Sequence, residues 1–218
     1  MLFFRELMAL LRKELLLEWR QAYSVQGLLV YAFTIVFIAA YALREGVTPQ
    51  VWVVVFWLLM LFIAVNAIAK SFMGESSGQR LYLYQLARPE VIILAKLIYN
   101  VLLLNVIGSI TLLAFLVLVG DPFGANLGAF LSVLYTGATG LAASMTLISG
   151  IAAKTNQRST LMAILSFPVL LPHLLSALSA SRKAYLNVLS FSDLTFMLLL
   201  VLIVSAVSLL LFPYLWRE

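Results

Sequence analysis

The sequence predicts an all-α integral membrane protein: six transmembrane helices preceded by an amphipathic helix in the interface. Three observations predict it. Of the 218 residues, 64 % are hydrophobic and 11 % charged, whereas a soluble domain carries about 45–50 % apolar and about 25 % charged residues. Mean hydropathy is +1.08. Roughly 140 apolar side chains exceed what one water-facing core of this length hides, and at about 20 residues per crossing they supply six spans. A soluble enzyme, a nucleic-acid-binding domain and a disordered chain are excluded. The net charge of +5 and the pI near 9.6 read as orientation charge and affinity for anionic lipid.

Residues 2–20 come first. At 100° per residue Arg5, Arg12, Lys13 and Arg20 share one arc, opposite Phe3, Leu7, Leu10, Leu11 and Leu15. This pattern predicts a helix lying in the interface with its cations toward headgroups. Glu14 and Glu18 sit inside the greasier arc. Two readings stand: they reach back to water or nearby cations, or they meet a partner protein. The charges in this region and the lack of a small-residue cleavage site predict an uncleaved anchor rather than a signal peptide.

Six apolar runs follow, over about 25–43, 51–69, 97–119, 127–153, 160–180 and 194–215. The third run begins at Val91 and is too long for one upright span. Lys96 near its start predicts interfacial first turns and a crossing from about Leu97. Val47-Thr48-Pro49, Asp121-Pro122-Phe123-Gly124 and Thr155-Asn156-Gln157 supply turn chemistry between runs. Of the 14 Lys and Arg, an N-in orientation leaves three outside (Arg44, Arg182 and Lys183) and the other eleven inside. Both termini are thus expected in the cytoplasm. The Arg182-Lys183 pair sits on the less favoured side unless the fifth run is re-entrant.

Chemistry-bearing residues are sparse. The chain has no cysteine, which excludes disulfides, thiolate metal sites and a cysteine nucleophile. It lacks G-x-x-x-x-G-K-[ST], H-E-x-x-H and G-x-S-x-G, so any ATP it depends on is used by a separate protein. No Asp or Glu stands at mid-span, which disfavours proton-coupled transport. Asn100 and Asn105 are expected to hydrogen-bond between helices. Thr136, Gly140 and Ser144, and Ala138, Ala142, Thr146 and Gly150, recur every four residues and predict close helix packing. The single histidine, His173, follows Pro168 and Pro172. Its expected role is to satisfy a backbone carbonyl freed by the prolines; the alternative is a haem contact or a proton shuttle.

The most informative stretch is 70–96, KSFMGESSGQRLYLYQLARPEVIILAK. It is the longest one not needed for crossing, and it mixes charge with apolar side chains. Ser76 or Ser77 suits a helix N-cap and Pro89 forces a break. A short apolar helix there suits docking into a partner's groove, and a lipid-surface elbow remains the alternative.

Phe72, Glu75, Gly78, an apolar stretch to Leu86, then Pro89 and Leu94-Ala95-Lys96 resemble the cytoplasmic segment of the CcmB family, the haem exporter permeases of the cytochrome c maturation system. The charged start with Arg5-Glu6-Leu7, the Gly- and Thr-rich fourth run and Phe167-Pro168…Pro172 fit the same family. The resemblance implies a fold similar to type-2 ABC exporter permeases, formed by 1–218 as a single transmembrane domain. It implies ATPase coupling through Phe72, Glu75, Gly78, Arg80, Leu86, Pro89 and Lys96, with Glu14 and Glu18 adding contacts. The implied partners are a P-loop ATPase, a haem-handling membrane protein and a small membrane peptide, with two copies of this chain per complex and no nucleic acid. No cofactor is bound directly; haem is the implied substrate, and the bacterial inner membrane the implied location. A permease of the same architecture exporting a drug, lipid or polysaccharide is the alternative.

Overall fold

The computed structural model describes residues 2–20, 23–44, 46–68, 87–153 and 158–215. Its helices are α1 (Leu2–Arg20), α2 (Tyr23–Ala42), α3 (Pro49–Ile68), α4 (Pro89–Leu118), α5 (Leu127–Ala152), α6 (Arg158–Tyr185) and α7 (Phe191–Leu215), with a 3-10 turn at Gly124–Asn126. Among the described residues, helices α2 to α7 are the six long and apolar enough to cross a membrane. In lipid only a structure that satisfies its own backbone groups can span, and an uninterrupted helix does so. The protein is an all-α membrane protein.

Six crossings put both ends of the chain on one face, here termed the terminal face. The turns at 43–44 and 46–48, at 119–126 and at 186–190 lie on the opposite, hairpin face. Helix α5 is the axis of the bundle and packs against α3, α4, α6 and α7. Some 72 % of its spanning window is buried, against 17 % for α7 and 22 % for α2. The difference follows from composition: the small residues of α5 let neighbouring backbones approach, whereas α2 and α7 carry bulky apolar side chains toward lipid.

Helix ends are set by local chemistry. Arg88, held extended (φ −68°, ψ 141°) by the following proline, caps α4, and Pro89 occupies its first turn. At the far end of α4, Gly120 adopts φ +108° and its N–H closes on the Phe115 carbonyl at 3.2 Å. Asp121 then accepts from the N–H groups of Phe123 (2.8 Å) and Gly124 (3.2 Å). Asn187 ends α6 at φ 56°, a conformation asparagine tolerates better than most residues. Helix α6 contains Pro168 and Pro172 yet runs without interruption for 28 residues. It therefore places Arg182 and Lys183 on the hairpin face rather than turning back.

Helix α4 departs from expectation. It is one 30-residue helix from Pro89, and Lys96 is 2 % exposed instead of lying at a wet interface. The cause is α1, which packs along the first turns of α4: Leu7 meets Val91 and Ala95, flanked by Leu10, Leu11, Leu94 and Ile98.

Aromatic rings close the hairpin end. Trp52 stacks on Phe56 (5.3 Å, 15°) and meets Phe115, Phe123 and Phe130 edge-on. Its indole N–H donates to the Gly120 carbonyl at 2.9 Å, joining α3 to the α4–α5 turn.

Candidate functional site

On the terminal face, the α1–α4 junction holds an ion-pair cluster. Glu14 on α1 accepts from Lys96 Nζ on α4 at 3.4 Å and from Lys13 at 3.3 Å. The Glu14 side chain is 14 % exposed, so the pair is largely withdrawn from water. Glu6 Oε2, on the same helix, is buried and has no hydrogen-bond partner among the described residues. Attraction between opposite charges strengthens as water is excluded, and removing one partner of a buried pair is costly. The ion pair thus pins α1 to α4 in one register. Between the two helices lies a groove of about 520 Å³ lined by Met8, Leu11, Arg12, Leu15, Tyr99 and Leu102, among others.

Deeper in the bundle, polar side chains bridge helices in pairs. Asn100 Nδ2 donates to Thr146 Oγ1 at 2.9 Å and Asn105 Nδ2 to Thr139 Oγ1 at 3.2 Å, both between α4 and α5. Both asparagines are interhelical donors, as expected. His173 Nδ1 faces Ser144 Oγ at 3.3 Å, and the ring also hydrogen-bonds the Val169 backbone on its own helix, so it meets a hydroxyl on α5 as well as a carbonyl beside the prolines. Its Nε2 is buried and has no partner among the described residues. A Cβ on Gly140 would lie 2.2 Å from His173 Cδ2 and 3.0 Å from Nε2. The imidazole is therefore seated on the α5 backbone, and a haem iron reaches Nε2 only if α6 parts from α5. Trp57 makes the matching contact one turn away: its ring covers Gly137, and its N–H donates to Ser181 Oγ on α6 at 2.8 Å.

The structure brings Glu14 and Lys96 together, places Pro89 at the start of the same helix as Lys96, and places His173 elsewhere, at the α5–α6 contact. The backbone of Glu18 lies within α1. Phe72, Glu75, Gly78, Arg80 and Leu86 lie outside the described residues. Among the described residues no cluster of His, Asp or Glu is arranged to hold a metal ion.

The family model described as CcmB protein matches residues 5–215. The chain belongs to the CcmB family. The match spans all six crossings and the junction of α1 with α4. A search of curated proteins finds no match. As a CcmB-family member the chain is a membrane transport component rather than an enzyme. It is the haem exporter membrane component of c-type cytochrome maturation and belongs to a Ccm ABC transporter complex.

Within this CcmB chain, sequence reasoning missed Gly137, Trp57 and Ser181. Gly137 stands in neither small-residue row, and the indole that needs its space comes from α3. The available signal was compositional: a tryptophan inside a span has an N–H that must find an acceptor in lipid.

Proposed function

We infer that this chain is the permease of an ATP-driven complex in the bacterial inner membrane, with both termini cytoplasmic. A separate P-loop ATPase drives it through residues 70–96 and α1. The orientation is supported by the charges: Arg5, Arg12, Lys13, Arg88 and Lys96 belong to the terminal face, while Arg44, Arg182 and Lys183 belong to the hairpin face. The need for a separate motor is supported by the lack of a P-loop in the sequence.

The observation that carries the reading is the Glu14–Lys96 ion pair. It fastens an amphipathic helix to the start of α4, the crossing that follows the 70–88 stretch. Helix α4 is continuous from Pro89, so force applied at its N-terminus moves the helix as a unit. ATP binding then draws docking elements together and shifts the bundle between two packings. The driven step is haem passage or release of a haem-loaded chaperone from the haem-handling partner.

The test is co-purification from native membranes. A P-loop ATPase is expected to elute with the tagged chain, and the double reversal Glu75→Lys with Arg80→Glu is expected to lose it. Full retention of the ATPase by the reversed chain overturns the docking role.

A further inference from the structure

The hairpin face carries three cations, and two are already engaged within the chain. Lys183 Nζ lies 2.5 Å from Asp193 Oδ1. The Arg44 guanidinium sits 4.8 Å above the Tyr41 ring. Arg182, in the same helical turn as Lys183, has no carboxylate within ion-pair distance among the described residues. Its side chain borders a groove of about 370 Å³ between α3 and α6. Val53, Val54 and Leu178 give that groove apolar walls, and Gln50, Ser179 and Tyr185 stand beside Arg182 as polar lining. Val54 is 45 % exposed, so the groove opens sideways to lipid.

An apolar trough with a guanidinium at its membrane-surface end matches one chemistry: an anionic head on an apolar chain. Arginine presents paired donors to phosphate oxygens, and tyrosine favours the headgroup level. We propose that the α3–α6 groove binds one anionic phospholipid, its phosphate on Arg182 and an acyl chain along Val53, Val54 and Leu178. This also accounts for a basic pair on the less favoured side: one cation is neutralised by Asp193 and the other by lipid. The inference rests on the six-span fold and stands or falls apart from the ATPase reading.

Native mass spectrometry of the full chain in detergent tests it, with phosphatidylglycerol and phosphatidylcholine of identical chains as probes. The wild type is expected to hold one phosphatidylglycerol with about fivefold preference over phosphatidylcholine, the size expected where one basic residue near anionic lipid contributes about 1 kcal/mol. Arg182→Gln is expected to bring the ratio to about one, and Arg44→Gln to leave it unchanged. Val54→Trp, which fills the trough without altering charge, is expected to lose both lipids. The proposal is overturned if Arg182→Gln keeps the preference, if Arg44→Gln loses as much, or if the wild type shows none. It is also overturned if added haem, whose propionates share the anionic chemistry, displaces the lipid at one equivalent.

Discussion

Replacing Gly137 with alanine tests the close approach of α3 to α5. The new Cβ would lie 2.3 Å from Trp57 Cη2, 3.0 Å from Cζ3 and 3.2 Å from Cζ2, where carbon atoms prefer about 3.5–4.0 Å. The ring must therefore retreat by about an ångström to restore ordinary contact. It has no free direction, because Trp57 is fully buried, packs edge-on against Phe56 and is held by Ser181. Overpacking costs about 1–3 kcal/mol, and the strained hydrogen bond about 1 kcal/mol more. The better helix propensity of alanine offsets about 0.5–1 kcal/mol. The net loss is about 1–3.5 kcal/mol, or a fall of about 2–14 °C in midpoint for a chain of this length. The assay is thermal unfolding of the purified protein in detergent. Gly128→Ala is the control: a Cβ there meets nothing within 4 Å, and its midpoint should hold or rise. The reasoning is refuted if Gly137→Ala unfolds at or above the temperature of Gly128→Ala.

Three further outcomes are expected. Gly140→Leu should destabilise through the His173 ring, and adding His173→Ala should recover part of the loss; strict additivity of the two in unfolding midpoints would contradict the contact. Asn100→Leu should cost only about 0.6–1.7 kcal/mol, because the Thr146 hydroxyl keeps its bond to the Ala142 carbonyl at 2.7 Å. Asp193 accepts from Ser190 N–H at 3.0 Å, across the start of α7. Its replacement by alanine should therefore cost about 0.5–2 kcal/mol, and Lys183→Met, at the rim, less than about 1 kcal/mol.

Six crossings were legible because hydropathy is a local property, and a run of about 20 apolar residues has few alternatives. The packing of the asparagines was legible too, since an amide in lipid must find a partner. What stayed hidden depends on residues distant in sequence. Lys96 reads as an interfacial cation when α4 is considered alone; Glu14, 82 positions away, makes its burial tolerable. His173 reads as a partner for a carbonyl beside two prolines and does meet the Val169 backbone; what the local pattern hides is Ser144, across the α5–α6 contact. The small-residue rows of α5 announce close packing without saying which side chain fills each gap, so Gly137 beneath Trp57 went unseen. Of the coupling stretch, only Pro89 and Lys96 among the named residues fall within the described structure. Phe72, Glu75, Gly78, Arg80 and Leu86 rest on the sequence pattern.

The link between α1 and α4 is tested most directly by exchanging its charges in a strain lacking this protein, with c-type cytochrome yield as the readout and membrane levels matched by immunoblot. Glu14→Lys and Lys96→Glu are each expected to lose most of the yield, and the double exchange to restore most of it. Full yield from either single variant, or a double variant as inactive as the singles at equal abundance, would contradict it.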